Sequence, residues 1–147
     1  MSTLSTEIDM WKDMEVAKWT VLAAAVEVAA TGLVLFVRPS WFAWLVFGAD
    51  FSDAGAALGR LTAIALLGLT LATWPLSGAV SPPSSSARAL LIYNVLAALY
   101  LLYVATGGQL IGILLWPAIV LHAIFSIVLG RAWLVERNLQ REDDFSI

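Results

Sequence analysis

The chain has no cysteine and a single histidine, His122. Without cysteine it cannot form a disulfide, a thiolate metal site or a covalent attachment to haem. One imidazole also excludes bis-histidine ligation of haem within a single chain. We predict no metal site from the sequence, and the identity of any other cofactor is unknown at this stage.

Charged residues are also scarce. They make up 13% of the 147 residues, whereas soluble domains average about 25%, and 61% of the residues are hydrophobic. The net charge of −3 offers no basic surface for nucleic acid, which we exclude as a partner. Because the apolar residues fall into long runs, the sequence indicates an integral membrane protein embedded in a lipid bilayer.

Four apolar runs are long enough to cross a membrane, which takes about 20 residues. We expect spans at about 19–37, 58–76, 89–106 and 110–130. Their ends are marked by Arg38-Pro39, Pro75, Gly107-Gly108 and Arg131. The predicted fold is therefore an all-α, four-helix transmembrane bundle in one domain covering residues 1–147.

The distribution of basic residues orients these spans, because cytoplasmic segments of membrane proteins are enriched in lysine and arginine. An even number of spans places both termini on one side. If that side is the cytoplasm, the opposite side carries only Arg38 and Arg60. The cytoplasmic segments then hold Lys12, Lys18, Arg88, Arg131, Arg137 and Arg141. We therefore expect a multi-pass protein of the inner membrane with cytoplasmic termini.

The first outer connection, "RPSWFAWLVFGADFSDAGAALGR", is too apolar for a solvated loop and too short to span. We predict a short helix in the outer headgroup zone, where indole rings are enriched, anchored by Trp41, Phe42, Trp44 and Phe47. It serves either as an anchor that sets helix tilt or as a lid over an opening between helices. At the other side of the membrane, Leu4, Ile8, Trp11 and Met14 form a stripe that predicts an amphipathic N-terminal helix.

Small residues mark the faces on which membrane helices pack, because they allow backbones to approach closely. On the second span we expect the packed face at Ala65, Gly68 and Ala72, continued outward by Gly55-xxx-Gly59. On the fourth span we expect it at Gly108-xxx-Gly112.

One carboxyl group lies within the first span, in "AAAVEVAATG". Glu27 shares a helical face with alanines and threonines, so it should point into the bundle, since an ionised carboxylate facing lipid would cost a few kcal/mol. It is nine residues from Lys18, about 13 Å into the membrane. His122 is equally far from Arg131, and Asn94 is about 9 Å from Arg88.

We therefore predict an intramembrane polar cluster of Glu27, Asn94 and His122 in the inner half of the bundle. Pro117 is expected to kink the fourth helix and free a backbone carbonyl nearby. Two interpretations stay open. These groups either hold the helices in register through hydrogen bonds, or form a proton-accepting site or a small polar pocket.

Two other groups of polar residues are less informative. Arg60, near Asp50 and Asp53, predicts a surface ion pair at the outer face, or else a site for an anionic head group. Tyr93, Tyr100 and Tyr103 form a partial stripe on the third span, which is typical of packing or interface anchoring. No residue set indicates a catalytic site, so an enzyme is the less favoured interpretation.

The runs "LGRLTAIALLGL", "LLIYNVLAALYLLY" and "LLWPAIVLHAIFSIVLGRAW" resemble those of small four-helix proteins of bacterial inner membranes. The build is similar to that of DoxX-like membrane proteins, some of which are accessory subunits of respiratory oxidoreductases. The resemblance covers the four spans and rests on hydropathy patterns.

Three functions are compatible with these features. The first is a non-catalytic membrane subunit or assembly factor that binds other membrane proteins or a second copy of itself. The second is a small proton-coupled transporter that uses Glu27 and His122. The third is a membrane enzyme or a lipid- or quinone-binding protein with a pocket beneath residues 41–47.

Overall fold

The computed structural model describes residues 2–74, 84–108 and 110–145, and only the backbone for residues 2–11, 13, 14, 17, 84 and 135–145. Four of its helices are long and apolar enough to cross a membrane, as predicted. The fifth is the short one expected in the first connection. In chain order they are α1 (Ser2–Val37), α2 (Pro39–Phe47), α3 (Asp53–Thr73), α4 (Ser84–Thr106) and α5 (Leu115–Phe145).

The N-terminal segment and the first span form one continuous helix, α1, instead of two consecutive helices. Nothing between residues 2 and 37 interrupts its hydrogen bonding, because this stretch contains no proline and its one glycine lies near the end. The predicted stripe of Leu4, Ile8, Trp11 and Met14 lies outside the described side chains.

Local sequence signals account for the turns around α2. Proline at position 39 has no N–H to donate, so it ends α1 and suits the first turn of α2. The left-handed backbone of Gly48 (φ 71°) ends α2, and its N–H donates to the Trp44 carbonyl at 3.0 Å. The side chain of Ser52 then caps α3 by accepting from the Gly55 N–H at 3.2 Å.

The four predicted anchors of α2 fall into two groups. Trp41 and Trp44 are 67% and 61% exposed, as expected for side chains that face a membrane surface. Phe42 and Phe47 are half-buried, and their rings meet edge to face with centroids 6.1 Å apart. The two phenylalanines therefore pack within the protein, and only the tryptophans are available as outward anchors.

The helix of the fourth span begins at Leu115, five residues later than predicted. The preceding residues instead bond to the end of α2: the Ile111 N–H donates to the Phe47 carbonyl at 3.0 Å, and the Leu114 N–H to the Leu45 carbonyl at 2.8 Å. Gly108-xxx-Gly112 is thus not a helical packing motif, and that prediction was wrong. A Cβ at Gly112 would overlap the backbone of Val46, so glycine permits this close approach.

The four long helices pack mainly as two pairs, α1 with α3 and α4 with α5, and α1 also contacts α5 and α4. The buried core lies toward the half of the bundle that holds the N-terminal part of the first span. It is formed by Val21, Ala24, Ala25 and Val28 of α1, Ala87 and Leu90 of α4, and Leu129 of α5.

The packed face of α3 is not the predicted one. Ala65, Gly68 and Ala72 are exposed, and a Cβ at Gly68 would have no neighbour within 4 Å. The helix instead buries a different set of side chains, Gly59, Ala63, Thr70 and Thr73. Both threonines satisfy their hydroxyls on carbonyls one turn earlier, so the helix can bury them without partners from elsewhere.

The outer extension of the predicted α3 face behaves differently. Gly59 is buried, and a Cβ there would lie 3.2 Å from the Leu35 side chain of α1 and 3.4 Å from the ring of Phe51. Gly55 is half-buried beside Phe51. The N-terminal part of α3 thus packs through glycine, whereas Gly68 in its C-terminal half does not.

Candidate functional site

The structure brings Glu27, Asn94 and His122 together from three different helices. Asn94 on α4 is fully buried (0% exposed) and His122 on α5 is 6% exposed. Glu27 on α1 is largely buried, with 16% of its side chain exposed. A polar cluster so placed joins α1, α4 and α5 through the apolar interior.

Asn94 determines how the histidine ring is held. Its Nδ2 donates to the Leu90 carbonyl at 2.8 Å, which leaves Oδ1 to face the ring. Oδ1 lies 2.8 Å from Nδ1 of His122. An amide oxygen can only accept, so Nδ1 must carry the proton of this bond. In a neutral ring, Nε2 is then the acceptor nitrogen.

Nε2 of His122 faces the carboxyl group of Glu27. The distance from Nε2 to Oε1 is 4.0 Å. Oε1 also accepts a hydrogen bond from the Thr31 hydroxyl at 3.0 Å. The other oxygen, Oε2, is buried and has no hydrogen-bond partner among the described residues. In the described part of the chain, the carboxyl group therefore has one oxygen that accepts a hydrogen bond and one that has no partner.

No family model, curated protein or solved structure matches this chain. The resemblance to DoxX-like proteins accordingly stays a prediction. What the site can do has to be inferred from its own residues and their geometry.

Three further residues lie around the cluster and were not predicted from the sequence to belong to it. Thr31 shares the helical face of Glu27, and its hydroxyl bonds to the carboxylate one turn away. Tyr93 places its ring edge to face with that of His122, with centroids 5.7 Å apart, whereas Tyr100 and Tyr103 are exposed. Ser126 donates to the His122 backbone carbonyl at 2.7 Å. Only Thr31 had a usable signal, its four-residue spacing from Glu27.

The predicted role of Pro117 does not fit the observed helix. Because α5 begins at Leu115, this proline lies in the first turn, where the backbone N–H groups have no partners within the helix. A proline there removes no helical hydrogen bond, so it gives no reason for a kink beside His122.

The three residues of the predicted outer-face site are all exposed. Within the described ranges, no ion pair within 4.0 Å joins Arg60 to Asp50 or Asp53. Asp53 opens α3, and Arg60 follows seven residues later, about 10 Å along the axis. This spacing separates the charges of Asp53 and Arg60 along α3, and a site for an anionic head group at these residues stays a prediction.

Proposed function

We propose that this chain is a multi-pass membrane protein that takes up and releases one proton at Glu27 and His122, as a small proton-coupled transporter. The observation that carries the proposal is the approach of the acceptor nitrogen of His122 to the Glu27 carboxyl group, at 4.0 Å, inside an apolar bundle. Intramembrane ionisable groups typically mark ion and proton pathways.

The hydrogen bond to Asn94 explains why this pair holds a single proton. With Nδ1 already protonated, one further proton resides either on the carboxyl group or on Nε2. The first case gives two neutral groups and the second an ion pair, so both leave the pair without net charge. Loss of that proton leaves a carboxylate in an apolar interior, which is costly unless a cation replaces it.

The test compares the full chain with Glu27→Gln, which keeps the shape of the side chain and removes the titratable group. Asp50→Asn, at an exposed position in the connection between α2 and α3, is the matched control. We expect a protonated-carboxyl infrared band that titrates in the wild type and the control and is lost in Glu27→Gln.

In proteoliposomes under a pH gradient, we expect proton movement through Glu27→Gln to fall at least about tenfold, since a positioned proton acceptor contributes about 10²–10⁴-fold to proton transfer. Identical infrared titration and identical proton movement in wild type and Glu27→Gln would refute the proposal.

A second candidate function is the membrane subunit or assembly factor, which the exposed α3 face favours. Ala65, Gly68 and Ala72 present small side chains outward, where another transmembrane helix could approach closely. Purification in a mild detergent should then recover the chain with a larger complex. Gly68→Leu should dissociate it, and Val120→Leu, at an exposed position on α5, should not. Migration of the wild type alone would exclude this function.

Membrane sidedness forms part of the same proposal. We infer an inner-membrane location with cytoplasmic termini from the basic residues, and place the Glu27 cluster nearer the cytoplasmic side. Trp41 and Trp44 would then lie at the outer headgroup level, with α2 as an anchor.

A further inference from the structure

A surface groove of about 740 Å³ runs between the N-terminal half of α1 and α5. The volume is within the range of small-molecule sites, about 300–1,000 Å³. Lys12 and Glu15 lie at the end nearest the chain terminus, and the remaining lining is apolar apart from one threonine. The residues that form its walls include Val16, Trp19, Ala23, Ile124, Phe125 and Val128.

Both walls of the groove lead toward the polar cluster. Along α1 the lining ends at Ala23, and Glu27 is one turn further, about 6 Å. On α5 the lining includes Phe125, and His122 lies three residues before it, about 4.5 Å away. Glu27 and His122 do not line the groove themselves; they lie about one turn beyond its end and face each other across the same pair of helices.

The chemistry at this end of the groove suits a cation. Oε2 of Glu27 has no hydrogen-bond partner in the described part of the chain, and the deprotonated carboxylate lacks a compensating charge unless His122 is protonated. The aromatic rings of Trp19 and Phe125 line the groove, and ring faces attract cations. The apolar walls would receive the body of an amphiphilic molecule.

We propose that this groove binds a lipophilic organic cation, which replaces the proton of the Glu27–His122 pair. This inference rests on the proposed function, since it names the class of solute for the same site. In the exchange, the protonated pair releases one proton to water, and the cation pairs with the carboxylate that remains. The charge of the site is the same before and after.

The other titratable groups near Glu27 are few. They are His122 on α5 and Tyr93 on α4, whose ring lies against that imidazole. The titratable residues of α3, Asp53 and Arg60, both lie within the first eight residues of that helix. Competition between proton and cation is therefore expected at one carboxyl–imidazole pair.

The experiment measures binding of tetraphenylphosphonium to the purified full chain in detergent, with proton release followed in weak buffer. We expect about one proton released per cation bound, as charge balance at a single carboxyl–imidazole pair requires. Glu27→Gln should lose the proton release. Ala23→Phe should weaken binding at least about tenfold by filling the groove, a loss of about 1.4 kcal/mol. Ala57→Phe, at an exposed site on α3, is the matched control.

The outcomes separate this inference from the proposed function. If the infrared band of Glu27 titrates but the cation does not bind, the inference fails and the proton site stands. Binding without proton release, unchanged in Glu27→Gln, would indicate adsorption or a lipid-binding groove and would also overturn it. If Ala23→Phe abolishes the infrared band, that substitution disturbs folding. Thr20→Leu, which narrows the same groove, is then used in its place, and we expect the same loss of binding.

Discussion

Asn94 and His122 form a buried hydrogen bond of 2.8 Å that links α4 to α5 and aims the second ring nitrogen at α1. Membrane interiors provide no water to satisfy polar groups, so each buried one needs a partner within the protein. The side-chain amide of Asn94 meets that need with both of its polar atoms. Its Oδ1 accepts from Nδ1 of the imidazole, and its Nδ2 donates to a backbone carbonyl of its own helix. The orientation of the histidine is thereby fixed by a residue that does not titrate.

The tautomer of His122 is the first prediction. We expect a neutral ring with its proton on Nδ1, which nitrogen NMR can read without assignment because the chain has one histidine. Asn94→Leu should give a mixture of tautomers and lower the free energy of unfolding by about 1–3 kcal/mol, since a buried N–H loses its acceptor. Ser126→Ala, which removes only a bond within α5, should keep the wild-type tautomer. A wild-type ring protonated on Nε2 alone would contradict the assignment.

The close approach of Gly112 to α2 gives the second prediction. Gly112→Ala should lower the free energy of unfolding by about 1–3 kcal/mol, because the added methyl group overlaps the Val46 backbone. Gly68→Ala is the matched control: its methyl group meets nothing, and it should be neutral or gain up to about 1 kcal/mol from helix propensity. Unfolding of both variants in one detergent checks the difference, and equal stabilities would show that residues 110–114 do not pack on α2.

The third prediction concerns topology, and the absence of cysteine makes it simple to test. Asp50→Cys, in the connection between α2 and α3, should react with a membrane-impermeant thiol reagent on intact cells. Arg131→Cys, in the distal half of α5, should react only in inverted vesicles. Both positions are exposed. The reverse pattern would overturn the cytoplasmic placement of the termini, and labelling of both from one side would contradict a four-span arrangement.

The polar cluster could be predicted from the sequence because polar side chains cost free energy when they face lipid. Because Glu27, Asn94 and His122 each require a partner, similar depths along three helices were enough to suggest their proximity. Depth does not specify rotation, however. Tyr93 lies one residue from Asn94, and whether its ring would reach His122 depends on how α4 is rotated against α5.

The packing of α3 was not predictable by the same reasoning. Alanine and glycine are compatible with a neighbouring helix and also with lipid, so the stripe at Ala65, Gly68 and Ala72 did not distinguish the two. Buried Thr70 and Thr73 gave no signal, since each bonds to its own helix. The late start of the fourth-span helix, at Leu115, depends on hydrogen bonds from Ile111 and Leu114 to Phe47 and Leu45, which are distant in sequence.

The continuity of α1 has a mechanical consequence. Its 36 residues make a rod of about 54 Å, while the hydrocarbon layer is only about 30 Å thick. Glu27 lies on this rod, and no proline or connection separates it from the N-terminal turns. A tilt of α1 by a few degrees on protonation would displace those turns by ångströms outside the membrane. If protonation of Glu27 tilts α1, a spectroscopic label near the N-terminus would report that change at a distance from the carboxyl group.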